Sequence, residues 1–331
     1  MSDQFIGVDV GGTKIATAIL EGGELSESKI VHTELGSQEA LLEQLGTAIE
    51  AEKTSDTRAV GIGLPSIVEF STGRILASVN IPLQDLPLRE QLSQRTGVPV
   101  YVENDAGCAA LAEASENGRI VVSHLIMFTL GTGVGGGWVL GGRLYRGPTT
   151  SAAEVGHTII GRDLTRGDQG PADAFPQHGS LESLASGRAL DRLADEAALR
   201  YPDSHLGHKR ETDGDVDGLD VVEGAQAGDQ ACRWCLEVLG ERLGVGIANA
   251  INTFDPLEVV VGGGVSRAGE LLLEPARRAA ENHVVPGLGL HTEIRIARHG
   301  PRAGVLGAAL LAAQEYAESN TAATVAGEAA T

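Results

Sequence analysis

Phe5-Ile6-Gly7-Val8-Asp9-Val10-Gly11-Gly12-Thr13-Lys14-Ile15 is the stretch that decides the fold. Phe5–Val10 and Ile15–Leu20 are apolar runs of strand length on either side of a glycine turn, so strand, turn and second strand are predicted. Gly11 and Gly12 let backbone N–H groups approach an anion, Thr13 adds a hydroxyl and Lys14 a positive charge. Asp9, at the strand end, is placed to face a hydrated magnesium ion. A plain hairpin is the competing reading. A Walker A loop is excluded, because no Gly-Lys-Ser/Thr run leads from this turn into a helix.

Reading outward, a third strand is predicted near Ser28–Thr33, then a helix capped by Ser37 with Leu41, Leu42, Leu45, Ala48 and Ile49 at helical spacing. A strand at Ala59–Leu64, a helix near Leu86–Arg95, a strand at Val98–Val102 and a helix from Asp105 follow, and this alternation indicates an α/β sheet. The opening pattern then recurs. Ile6–Gly12 falls on Ile126–Thr132, with a strand at Leu125–Leu130, a turn at Gly131-Thr132-Gly133 and a strand at Val134–Leu140. Two strand–glycine turn–strand copies suggest duplicated α/β domains with a cleft between them.

Gly131-x-Gly133-x-x-Gly136 formally fits a dinucleotide fingerprint, but such a loop must open a helix. Here a hairpin turning at Gly141-Gly142 follows, so a second phosphate-binding turn is expected and a nicotinamide cofactor is not. Glu103-Asn104-Asp105 sits where a strand meets a helix, a place for a general base or for a helix cap. Glu154-Val155-Gly156-His157 and Glu182 add polar groups that suit either a site or an ordinary surface. Val259-Val260-Val261-Gly262-Gly263-Gly264 is a strand entering a glycine turn, where an adenosine could lie. Arg162–His178 reads as loop, and Tyr201–Leu219 as an exposed acidic loop without the spacing of a calcium-binding EF-hand. A helix over about Asp229–Thr253 places Cys232 and Cys235 in its core rather than in a redox motif. The last fifteen residues are expected to be a frayed tail.

The 331 residues suit two domains. A formal net charge of −20 argues against nonspecific nucleic-acid binding and against anionic membranes. No apolar run is long enough for a transmembrane helix, no secretory leader is visible, and three cysteines make no disulfide framework, so a reduced cytoplasmic protein is expected.

Taken in order, these segments resemble the ROK family of sugar kinases on the actin-like ATPase fold, over about residues 5–313. The carrying pieces are Asp9–Lys14, Gly61–Pro65, Asn80–Pro82, Val102–Ala106, Leu130–Gly137, Arg146-Gly147, Glu154–His157, Val221–Asp229, Val261–Ser266 and Ala303–Ala309. The resemblance implies a two-domain α/β kinase: residues 1–115 plus about 301–316 as a small domain, 116–300 as a large one, and 317–331 as a flexible tail. It implies ATP-dependent phosphorylation of a hexose, glucose first, with Asp105 as general base. By the same resemblance, Asn104, Glu154, His157 and Glu182 would bind the sugar. Gly11, Gly12, Thr13 and Lys14, with Gly131, Thr132 and Gly133, would hold the phosphates; Gly262, Gly263 and Gly264 would border the adenosine. Asp9 would orient Mg²⁺ through water, and a homodimer is implied. Fructose, mannose and N-acetylhexosamines are the alternative substrates, and a non-catalytic sugar sensor the alternative role. A repressor of the family would carry a DNA-binding helix-turn-helix before this domain; with Asp9 so near the start and a net charge of −20, that role is not expected.

The family's zinc motif, Cys-x-Cys-Gly-x-x-Gly-Cys-x-Glu, is altered: Gly179-Ser180-Leu181-Glu182 matches its end, while Asp173, Phe175 and Ser180 replace the cysteines. A Cys₃His zinc site is therefore not expected, and only His157, Asp173 and His178 remain as alternative ligands. Ser66, Gly107, Cys108 and Ala153 depart from the family pattern near the presumed sugar site.

Overall fold

A computed structural model describes residues 2–78, 80–150, 152–161 and 175–329. The chain divides into two compact units, Met1–Ser123 with Gly137–Ala152 and His299–Thr331, and His124–Gly136 with Ala153–Arg298.

The first unit opens with β1 (Gln4–Val10), β2 (Lys14–Glu21), β3 (Glu24–Leu25), β4 (Lys29–His32), α1 (Gln38–Glu52) and β5 (Thr57–Leu64). The hairpin β6 (Ser66–Glu69) and β7 (Arg74–Ser78) follows, then α2 (Leu88–Thr96), β8 (Val100–Asn104), α3 (Asp105–Glu113) and the short pair β9 (Ser115–Glu116) and β10 (Arg119–Ile120). Its main sheet has the order β3-β2-β1-β5-β8, with β4 also on β2; β1 runs antiparallel to β2 and parallel to β5. Ser37 caps α1 by accepting from Ala40 N, and that helix turns the fully buried Leu41, Leu45 and Ile49 onto the sheet. Each such side chain contributes about 1.5–3 kcal/mol of burial.

The second sheet repeats the plan. β11 (His124–Leu130) and β12 (Val134–Leu140) lead to β13 (Arg143–Leu144), and the order is β13-β12-β11-β14-β15, with β14 (Glu258–Gly262) parallel to both β11 and β15 (Glu293–Ile296). Between β13 and β14 lie α4 (Leu181–Ala185), α5 (Gly187–Arg200), α6 (His205–Asp213), α7 (Gly218–Gln226) and α8 (Gln230–Phe254); α9 (Glu270–His283) precedes β15. In α8, Gly240 and Gly244 lie against Pro275 and Ala276 of α9, close enough that a Cβ at either glycine would meet backbone within 3 Å.

The acidic stretch from 201 to 219 is not a loop but α6 and the start of α7. Asp217 forms a reciprocal capping box with Asp220, which is buried in an ion pair with Lys209, while Asp203, Glu211, Asp213 and Asp215 are exposed as expected. Gly214 ends α6 at φ 89°, and Ser204 caps its start, so the Asp-Gly dipeptides mark helix boundaries. Leu206, Val216, Val221 and Val222 fill the space beneath. The final helix, α10 (Ala303–Ala329), runs on through residues expected as a tail, which are rich in alanine, the best helix former. No helix among the described residues is long and apolar enough to cross a membrane.

In the first unit α10 lies directly on the backbone of the sheet. A Cβ at Gly61 would sit 1.8 Å from Ala308 O, and one at Gly7 would sit 2.1 Å from Val305 O. Gly307 is as tightly set against Cys108 O of α3, at 1.7 Å. Gly61→Ala should therefore cost about 3 kcal/mol, the upper end of overpacking penalties, read as a lowered urea midpoint; an unchanged midpoint would contradict this packing.

Candidate functional site

In the first unit the site begins at the turn between β1 and β2. Gly11 N donates to Lys14 O at 2.9 Å, which closes the turn and leaves the exposed Thr13 and Lys14 at its tip. Thr33 fixes the turn from β4's end, donating through Oγ1 to Gly11 O at 2.7 Å and through its backbone N to Thr13 O at 3.0 Å. Asn80 stands on the other side, 3.2 Å from where a Gly12 Cβ would lie.

Asp9 ends β1 beside this turn, half-buried. A Cβ at Gly304, in the first turn of α10, would come within 2.6 Å of its carboxylate oxygens, so glycine there leaves the room that the carboxylate occupies. Desolvation raises the Asp9 pKa to about 6; the Asp105 charge adds to the rise, and Lys14 opposes it. A carboxylate this crowded and this close to a second one is short of positive charge, and a bound cation would supply it. Asp9 thus fits the magnesium expected at this position.

Asp105 is the first residue of α3, presented by the junction with β8. Asn104 caps that helix, its Oδ1 accepting from Ala106 N at 2.9 Å, and its amide reaches Ser66 O at 3.4 Å. The capping and the site readings of Glu103-Asn104-Asp105 are therefore compatible. Asp105 Oδ1 also accepts from Ala106 N, at 2.8 Å, and Oδ2 is left for another partner. Crowding by protein pushes the Asp105 pKa up although its surface remains accessible, while the Ala106 N–H pulls the other way. Beneath it, Cys108 is fully buried with its Sγ against Gly63, and burial holds the thiol neutral.

Glu103 is buried and carries the junction. Its Oε2 accepts from Arg146 Nε at 2.5 Å and its Oε1 from Asn104 N at 2.9 Å. Arg146 also lies 3.5 Å over the Phe70 ring and bonds Glu315 at 3.2 Å. Ser66 spends its hydroxyl on Ser78, 2.5 Å away.

In the second unit the turn Gly131–Gly133 joins β11 to β12. Gly131 N donates to Gly133 O at 3.0 Å, while Gly131 itself has open space where a Cβ would project. Gly263, at φ 86°, lies against the Leu130 backbone, where a Cβ would come within 2.4 Å, and Gly264 opens onto free space. The two glycine turns of this sheet are thereby neighbours. Gly187, at the start of α5, donates to Gly131 O at 2.7 Å and so belongs to the same cluster.

The segment Ala153–His157 docks on the start of β12: Gly136 sits against Ala153 O and Gly156 against Val134 O. Ala153 adopts φ 74°, a conformation that favours glycine, and Glu154 follows at φ −72° and ψ 55° with Val155 N bonded to Ala153 O at 2.7 Å. That is an inverse γ-turn centred on Glu154, which sends its exposed carboxylate outward. His157 Nε2 lies 3.8 Å from Glu154 Oε2, and its ring meets Phe175 edge-on at 5.3 Å. Glu182, in α4, has an oxygen on Val134 N at 2.9 Å.

Asp173, Phe175 and Ser180 stand where the family's zinc motif has cysteines, and Asp173, with the rest of residues 162–174, lies outside the described residues. Among the described residues no three His, Cys, Asp or Glu side chains come together. Sequence reasoning missed Thr33, Gly187 and Gly304. Only Gly187 left a local signal, the Ser186-Gly187 helix start; the other two become legible once strand pairing and α10 are placed.

The ROK family model matches residues 5–315. The glucokinase of Halalkalibacterium halodurans is 34% identical over 95% of this chain and 97% of its own length. The Escherichia coli N-acetyl-D-glucosamine kinase is 32% identical, covering 93% of this chain and 98% of that protein. Among solved structures, a Streptomyces griseus ROK glucokinase in complex with glucose and AMPPNP superposes with a TM-score of 0.74 at 35% identity, covering 94% of this chain and 99% of that one. With its repeated β-sheet plan and this match over nearly its whole length, the chain belongs to the ROK family, on the actin-like ATPase fold.

Proposed function

We propose that the protein is an ATP-dependent hexose kinase whose preferred acceptor is glucose, the observation that carries this being the desolvated carboxylate pair Asp9 and Asp105 beside a glycine turn in the first unit. The glucokinase relatives support glucose; the N-acetyl-D-glucosamine kinase keeps amino sugars as the second reading.

Asp105 is the general base. Its Oδ1 is held by Ala106 N–H, which fixes the plane of the carboxylate, and Oδ2 takes the proton from the attacking sugar hydroxyl. Desolvation raises its basicity toward the working pH, the direction that general-base catalysis needs. Phosphoryl transfer asks little covalent chemistry of a protein, so the rest is positioning and charge. Gly12, Thr13 and Lys14 are the groups of the first turn that suit phosphate, and Thr132 and Gly133 those of the Gly131–Gly133 turn, since Gly11 and Gly131 use their own N–H groups to close their turns. Asp9 would hold magnesium through water, and the ion would supply neutralising charge to the phosphoryl donor. Asn104, Glu154, His157 and Glu182 orient the sugar, and Gly262, Gly263 and Gly264 border the adenosine.

ADP release from Mg·ATP over a panel of hexoses should be fastest with glucose. Asp105→Asn should lower kcat by at least about a thousandfold with the fold retained. Activity confined to N-acetylglucosamine would move the substrate; a fully active Asp105→Asn would remove the base.

Asp9 makes a separate prediction about stability. Its folded pKa, about 6, lies above the unfolded value of 3.8, so its ionisation opposes folding. The cost is absent below about pH 4, grows through pH 6 and is complete above it. In magnesium-free buffer Asp9→Asn should melt higher than wild type at pH 8, with the gap shrinking toward pH 5, while losing activity. A gap independent of pH would contradict it.

A further inference from the structure

The side chain of Glu182 has two acceptor oxygens and is used on only one of them. Oε2 accepts from Val134 N, the first backbone group after the Gly131–Gly133 turn, at 2.9 Å. The same oxygen lies 2.4 Å from where a Cβ at Gly133 would project, so Gly133 is packed directly on the carboxylate. Among the described residues nothing donates to Oε1. On the other flank of the turn, Gly187 N–H holds Gly131 O at 2.7 Å, and a Cβ at Gly187 would come within 2.6 Å of that oxygen. Glu182 and Gly187 are one helical bend apart, in α4 and at the start of α5, with Ser186 capping the second helix by accepting from Ala189 N. The turn is therefore clamped at both ends by a single α4–α5 elbow.

We propose that Glu182 is a positioning residue for the phosphate turn as well as a sugar ligand, so that the acceptor sugar and the phosphoryl donor are coupled through one carboxylate. The inference rests on the kinase reading above. A carboxylate can accept several hydrogen bonds at once, so a sugar hydroxyl on Oε1 does not displace Val134 N–H; it restrains the same side chain and with it the turn. Coupling of this kind is reciprocal: sugar should tighten nucleotide, and nucleotide should tighten sugar by the same factor. A Cβ at Gly133 would crowd this carboxylate against the turn.

The experiment is calorimetric binding of Mg·AMPPNP to the full chain with no sugar present, for wild type, Glu182→Ala and Glu182→Gln. Losing a hydrogen bond to a charged group should weaken the Glu182→Ala complex by about tenfold. Glu182→Gln keeps an oxygen for Val134 N–H and should stay within about threefold of wild type. Glucose should tighten nucleotide binding in wild type and have no such effect in Glu182→Ala. Sugar-free nucleotide affinity unchanged in Glu182→Ala, with only sugar binding lost, would overturn the positioning role. A wild type that binds no nucleotide would instead overturn the kinase reading. Hydrogen exchange of the Val134 amide separates the two failures: faster exchange in Glu182→Ala supports the strut whatever the ligand, and unchanged exchange removes it. Exchange confined to that region, with global protection intact, shows that the variant has folded.

Discussion

Burial holds the carboxyls of Asp9 and Asp105 above the usual carboxylate range, and at Asp9 the charge of Asp105 adds to the rise. Asp9 is carried by the central strand of the sheet and Asp105 is the first residue of a helix, so the backbone of each is set by a packed element. Glycine makes this possible. Gly7 and Gly61 let α10 approach the sheet, Gly307 lets it approach α3, and Gly304 leaves room for the Asp9 carboxylate itself.

The second unit solves a different problem with the same plan. Its central strand also ends in a glycine turn, and this turn is held from outside by the backbone N–H of Gly187 and the side chain of Glu182. The duplicated strand order explains why both turns fall at equivalent ends of their sheets.

Much of this was legible in the sequence because it is local. Strand–turn–strand at Phe5–Leu20 and again at Leu125–Leu140 depends on alternating short apolar runs and glycines, and the structure places β1, β2, β11 and β12 there. What failed was also local in cause. The acids between 201 and 219 were read as solvated loop because composition does not reveal caps; Asp217 and Asp220 are acidic for a helix start, and their ring of partners is visible only in three dimensions. The Glu182 strut, the Arg146–Glu103 pair and the Gly304 contact join residues tens to hundreds of positions apart, and no periodicity announces such pairs. Ala153 is the converse case: its departure from the family pattern was visible, but only the backbone shows that it holds a conformation suited to glycine.

The most direct test of the central claim is to titrate the Asp9 carboxyl carbon by NMR in selectively labelled protein, without magnesium, in wild type and in Asp105→Asn. The account predicts a pKa of about 6 in wild type, a lower value in Asp105→Asn, and a fall when magnesium is added. A wild-type value near 3.8 that neither Asp105→Asn nor magnesium shifts would mean that the two carboxylates are not a strained pair awaiting a cation.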